Sequence, residues 1–269
     1  MFRLIDLFNR TWEELEIAVA KRRHHPHPNP PPGPVGPVNP LVTVRFLNRS
    51  RTVSDPEIAA HLPDLQTQVS HDFAPAWLID ATLVAGGTLA AGEWVVFIED
   101  DATVDGALGF HEELQGVPTA HVFARTCQQF GVTWTSVASH ELLEMLGDPR
   151  TVLAGIDDPT GTGKSGTIYM AEACDAVEQS TYHVGGTEVS DFVLPAWWDR
   201  TSHGPFDHLD LVGGAFELEP GGSYIGLIQF TSRDGWQQKT AETAPAAGDT
   251  ASSGAAASAT ITNQETTTS

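Results

Sequence analysis

The stretch Thr135-Ser-Val-Ala-Ser-His140-Glu141-Leu-Leu-Glu144-Met-Leu-Gly147-Asp-Pro149 decides how this chain is read. On a helical wheel at about 100° per residue, Glu144 falls about 40° and Glu141 about 100° from His140. Ala138, Leu142, Leu143, Met145 and Leu146 take most of the remaining circumference. A helix that is apolar nearly all round is a buried helix. Its three ionisable side chains therefore crowd into one wedge of a core, where each unpaired charge would cost roughly several kcal/mol. Something positive must sit there. Side chains at i and i+4 project from one face a turn apart, so His140 and Glu144 can reach the same metal ion. Glu141 then lies where its carboxylate can serve as general base toward water held by that ion. The alternative is a buried His–Glu pair satisfied by an arginine or by backbone groups. The polar cap near Thr133, the Gly147 stop and a strand before the helix favour the metal.

A third ligand is expected downstream. The segment Tyr169-Met-Ala-Glu172-Ala-Cys-Asp175-Ala-Val-Glu178 offers two carboxylates at i, i+3. Glu172 is the first choice, with Asp175 accepting from the N–H of His140. Asp148, one turn after Glu144, is a rival, and Asp175 as the direct ligand is another.

Around this centre, residues 41–240 read as one folded domain. Leu41–Leu47 alternates as a strand. Ser54-Asp55-Pro56 starts a helix whose stripe runs through Ile58, Leu62, Leu65, Val69 and Phe73, with Pro63 a flaw inside it. Trp94–Ile98 and Val117–Ala124 are buried strands. The helix itself spans about Thr133–Leu146. A hairpin follows, Thr181–Val184 and Glu188–Val193 about a Gly185-Gly186 turn. A last strand pair is expected at Ala215–Leu218 and Tyr224–Phe230. Gly161-Thr-Gly-Lys-Ser-Gly-Thr167 imitates a phosphate-binding loop, but the pattern needs glycine where Asp158 stands, so it reads as a hairpin tip.

The flanks differ. Residues 1–23 form an amphipathic helix by the spacing of Ile5, Phe8, Trp12, Leu15 and Val19. Residues 24–40 are a Pro-rich linker carrying His24, His25 and His27. Residues 241–269 are an Ala/Thr/Ser tail with too little apolar surface to order, so disorder is expected.

The chain has 35 Asp+Glu against 14 Lys+Arg, a net charge of −21. That field repels phosphate backbones and anionic lipid, which argues against nucleic-acid and membrane partners and suits cations. Two cysteines, Cys127 and Cys174, are too few for a disulfide framework or a thiolate zinc site. They read as buried small hydrophobes, or as a pair in an oxidising compartment. The N-terminus carries no secretory pattern and no run of about 18 apolar residues occurs, so the default location is cytoplasmic or particle-associated.

The helix and its downstream carboxylates resemble the zincin metallopeptidases, whose signature is H-E-x-x-H followed by a Glu, His or Asp ligand. Here Glu144 stands in place of the second His, an H-E-x-x-E variant. The later Glu-x-x-Asp is similar to the Glu-zincin pattern and maps onto Glu172 and Asp175. Ser139–Pro149, S-H-E-x-L-E-x-x-x-D-P, is similar to zincin-like proteins of bacteria and phages. The resemblance covers about residues 41–240. It implies an α+β fold: a zincin-like mixed sheet, a buried active-site helix and a strand- and loop-rich C-terminal part. It also implies Val117–Ala124 as the edge along which an extended substrate lies. Tyr182 and His183 become candidates to polarise a substrate carbonyl, with packing the alternative for hairpin aromatics; His203 and His208 read as surface or structural.

The expected activity is metal-dependent hydrolysis, of peptide bonds first. The expected cofactor is a divalent metal, zinc foremost, with manganese, calcium or iron favoured by the added carboxylate. The partner would be a polypeptide substrate or a larger protein assembly. The alternative is a non-catalytic structural or binding protein, for example a phage-particle component, that keeps a zincin scaffold and a structural cation.

Overall fold

The computed structural model describes residues 23–25, 42–104, 106–159, 161, 165–231 and 235–242. The remainder of the expected N-terminal helix and linker, and the tail beyond 242, lie outside the described residues. Arg23–His25, placed by the sequence reading at the junction of helix and linker, form strand β1, parallel to a strand at Ser180–Val184.

The fold is α+β. Its main sheet holds β2 (Val42–Asn48), β3 (Ala81–Ala85), β4 (Trp94–Glu99), β5 (Gly109–Leu114) and β6 (Val117–Phe123), ordered β3-β2-β4-β6-β5. The first four in that order run parallel and β5 runs antiparallel to β6. Val95, Val96, Phe97 and Ile98 are all buried, as a strand covered on both faces requires. Between β2 and β3 lies α1 (Asp55–Thr67). The Ser54 side chain accepts from the Glu57 N–H and Pro56 occupies the first turn. Pro63 is carried inside α1, and the chain continues through a π-helical turn, Gln68–Phe73, into α2 (Ala74–Trp77). The expected stripe from Ile58 to Phe73 is buried throughout.

After the short α3 (Ala124–Gln129) comes α4 (Trp134–Gly147), the helix on which the sequence reading turns. Thr133 caps it by accepting from the Ser136 N–H at 3.3 Å. It is wedged between β5 and β6 on one side and a hairpin on the other, formed by β9 (Ser180–Val184) and β10 (Thr187–Ser190). Wrapped in this way, α4 buries every residue from Trp134 to Leu146 except His140, which is partly covered. A four-stranded antiparallel sheet completes the chain: β7 (Ala154–Asp157), β8 (Ser165–Met170), β11 (Ser223–Thr231) and β12 (Gly235–Glu242), ordered β12-β11-β8-β7. β7 and β8 pair antiparallel, and of the segment resembling a phosphate loop that joins them, residues 162–164 lie outside the described residues.

Two expectations fail. Val117–Ala124 is not the sheet edge: β6 is bonded to β4 and β5 on its two sides, and β5 is the edge among the described residues. The tight Gln115-Gly116 turn, with φ of 53° and 83°, folds β5 back along β6 and takes that position. Ala215–Leu218 is not a strand. Phe216 has φ of 59° inside a turn, and its ring packs with Trp197 and Tyr169 in a second, smaller core. No helix among the described residues is long and apolar enough to cross a membrane.

Candidate metal centre

Three parts of the chain meet at the C-terminal half of α4. The helix brings His140, Glu141 and Glu144; the segment after β8 brings Glu172, Cys174 and Asp175; the edge strand β5 brings His111. Strand alternation turns His111 inward while Phe110 and Glu112 face the other way. Gly109 makes room: a Cβ there would stand 2.8 Å from both Cγ and Oε1 of Glu141.

The spacings define the chemistry. His140 Nε2 lies 3.3 Å from Glu144 Oε1 and 3.7 Å from Asp175 Oδ1. His111 Nδ1 lies 3.6 Å from Glu144 Oε2 and 3.7 Å from Glu141 Oε2, and its Nε2 is 3.6 Å from Glu172 Oε2. All exceed the roughly 3.2 Å limit of an ordinary N–H···O bond. They match the separation of two ligand atoms on one ion, about 3.3 Å for tetrahedral bonds of about 2.0–2.1 Å. His111 Nε2 and Glu172 Oε2 are buried without a hydrogen-bond partner among the described residues. His111, Glu144 and Glu172 form one group able to hold a metal ion, and His140, Glu144 and Cys174 form another.

The electrostatics are unbalanced. Burial works first against a charge on His111, yet Glu172, Glu141 and Glu144 outweigh it and hold its pKa well above the ordinary value. The same contest, with Glu144 and Asp175 as partners, raises His140. Burial would raise Glu144 too, but the two imidazoles hold it below the usual carboxylate range. Glu172 is pushed up to about 8 by burial, reinforced by Glu144, Asp175 and Glu141 against the pull of His111. Burial likewise lifts Asp175 to about 6 and the Cys174 thiol well above its usual value. Among the described residues no ion pair joins an arginine to the cluster, and Arg45, Arg49, Arg125, Arg150 and Arg200 pair with other carboxylates. The negative end of the α4 dipole adds to the demand for a cation.

Of the expected ligands, His140 and Glu144 fall in one of these groups and Glu144 and Glu172 in the other, and no group among the described residues holds His140 together with Glu172; Glu141 lies beside His111 and Asp175 beside His140. Asp148 is in neither group. Its Oδ2 accepts from the Leu153 N–H at 2.6 Å, just past the end of α4. Tyr182 and His183 are not brought there either. The Tyr182 hydroxyl donates to Asp72 at 2.8 Å inside the core, and His183 lines a groove at the opposite, N-terminal end of α4. His208 is buried, stacked 5.0 Å from Phe192. Cys127 and Cys174 are both buried and are not joined by a disulfide.

His111 is the residue the sequence reading missed. Gly109-Phe-His-Glu-Glu-Leu114 lacks the β-branched run that marks a strand, being an edge with one face half open. The available signal was Gln115-Gly116, a hairpin turn whose outgoing strand was recognised.

No family model, no curated protein and no solved structure matches the chain.

Proposed function

We propose that this protein is a metal-dependent hydrolase of the zincin type, acting on peptide bonds. The observation that carries the reading is the convergence of two imidazoles and four carboxylates in a buried cluster that no arginine neutralises among the described residues, beside the edge strand β5 of a mixed sheet. An extended polypeptide can add to such an edge through main-chain hydrogen bonds, which would lay its backbone along β5 next to the cluster. His140, Glu144 and Glu172 would hold the cation, which supplies Lewis acidity. Glu141 would take the proton of the attacking water and return it to the leaving nitrogen, so that one C–N bond breaks as one C–O bond forms.

One observation favours the second reading, a structural cation without catalysis. Glu141 is only 6% exposed, and its Oε2 faces His111. The test is hydrolysis of an unstructured polypeptide by the full chain loaded with Zn²⁺ or Mn²⁺, compared with Glu141→Gln. Metal-dependent cleavage should fall on the order of 10²–10⁴-fold in the variant. Equal activity of the two proteins would overturn the general-base role, and metal binding without cleavage would leave the structural reading.

A further inference from the structure

We propose that the cluster holds two divalent cations, not one, with Glu144 bridging them; this rests on the metal-centre reading above and extends it. Glu144 presents its two oxygens to two different histidines, Oε1 to His140 at 3.3 Å and Oε2 to His111 at 3.6 Å. Each half has its own further donors. On the Oε1 side stand Asp175 and Cys174, and on the Oε2 side Glu172 and Glu141. A carboxylate that bridges through both oxygens suits ions about 3.5–4 Å apart, the spacing of two-metal hydrolytic sites.

The charges agree. Glu141, Glu144, Glu172 and Asp175 carry four negative charges when ionised, and two divalent ions cancel four. One ion would leave two charges for the imidazoles to offset. His111 is the decisive group: it is 8% exposed, its Nε2 has no hydrogen-bond partner among the described residues, and it arrives from a different element than the helical ligands. Two imidazoles with four carboxylates is also the donor set of carboxylate-bridged iron and manganese pairs in helical bundles. Oxygen-rich sites of this kind suit manganese or iron better than a thiolate-preferring ion.

The experiment uses the full chain, stripped with a chelator and titrated with Mn²⁺ alone. Native mass spectrometry counts the bound ions, and electron paramagnetic resonance reads their coupling. Two equivalents are expected, the second suppressing the six-line signal of isolated Mn²⁺. His111→Ala and His140→Ala should each reduce the count from two to one. Glu144→Gln should remove the coupling. Replacing His24, His25 and His27 by alanine should leave both equivalents, since the Pro-rich segment is not the site. Saturation at one equivalent, with His111 serving as a fixed positive charge, would overturn the pair but keep the metal centre. No binding at all would overturn both. Two equivalents without coupling would overturn the Glu144 bridge, and loss of an equivalent on replacing the three N-terminal histidines would move one ion elsewhere. The wild-type count does not depend on any variant folding.

Discussion

Ser139 and His140 are neighbours on α4, yet they face two different kinds of polar interior. The Ser139 hydroxyl donates to Gln68 Oε1 at 2.7 Å and accepts from the Ser190 N–H at 3.0 Å. Gln68 in turn donates to the Ser190 carbonyl at 2.9 Å and to the Tyr182 hydroxyl at 3.2 Å, and Tyr182 donates to Asp72 at 2.8 Å. Every step of that network is a hydrogen bond, and it ties α4 to the π-helical turn and to the β9–β10 hairpin. Around His140 and His111 the gaps between the ionisable side chains are 3.3–3.7 Å, and Glu144 Oε1 accepts a hydrogen bond from the Cys174 N–H at 3.1 Å. A closed network fixes structure. An open cluster of charges at ligand-to-ligand spacing leaves room for ions, and it costs stability until they arrive.

The largest expected consequence is a dependence on pH that comes mainly from the open cluster. Without metal, Glu172 is pushed from 4.5 to about 8 and Asp175 from 3.8 to about 6, and both histidines stand well above 6.5. Between about pH 4.5 and 8 the folded chain therefore binds more protons than the unfolded one, so stability falls as pH rises through that window. At about 1.4 kcal/mol for every pH unit of displacement, the loss is on the order of several kcal/mol. Glu144, held low, has the opposite sign, but its contribution is lost only as pH falls below its ordinary 4.5. Metal displaces the same protons, so affinity should rise over the window and the loaded protein should keep only the shallower slope of the raised carboxylates outside the cluster, Glu219, pushed to about 7, with Asp191 and Asp207. Thermal midpoints from pH 5 to 8, with chelator and with Mn²⁺, check this. A chelated protein whose midpoint stays flat or climbs would sink the account.

The next effect separates the two regions by sign. Glu172→Gln keeps the shape of the side chain and removes one buried carboxylate. Metal affinity should drop on the order of 100-fold or more, beyond the usual cost of losing a supporting hydrogen bond to a ligand. The chelated variant should match the parent in stability only near pH 4.5, be more stable at pH 6 and have a larger advantage at pH 8. Asp148→Ala, which removes only the cap on the Leu153 N–H, should leave the metal titration unchanged. The reverse ranking in a calorimetric titration would transfer the ligand role to Asp148.

How far the sequence foretold these regions follows from what each is made of. The helix at 134–147, its cap and its charged wedge were legible because local periodicity and Thr133 determine them. The hairpin was legible from Gly185-Gly186, and the downstream carboxylates from their spacing to one another. His111 was not, because nothing local couples it to α4; only the pairing of β5 with β6 brings it in. Tyr182 stayed open between packing and polarising a substrate for the related reason that a strand position does not reveal which face meets the core. Its partners, Gln68 and Asp72, lie 114 and 110 residues away in sequence. Ala215–Leu218 shows the converse, apolar spacing that serves a packed turn around Trp197 instead of a strand.

The smallest effect tests the closed network and should leave the open one untouched. Tyr182→Phe keeps the ring, so the packing of that fully buried side chain is preserved. It removes a hydroxyl that both donates to Asp72 and accepts from Gln68. Each loses a partner in a site without ready access to water, since Gln68 is 0% and Asp72 2% exposed. Losing these two buried hydrogen bonds costs about 1–3 kcal/mol. For a domain of this size the midpoint should fall by roughly 2–4 °C per kcal/mol. Metal stoichiometry and affinity should not move, because no contact joins the Tyr182 hydroxyl to His111, His140, Glu144 or Glu172 among the described residues. If hydrolysis is present, kcat should be unchanged once folding is complete, as a hydroxyl buried in the core cannot polarise a substrate. A Tyr182→Phe protein that keeps its midpoint but loses metal or turnover would show that the two regions are one site, and the distinction between scaffold and centre would have to be redrawn through Ser139.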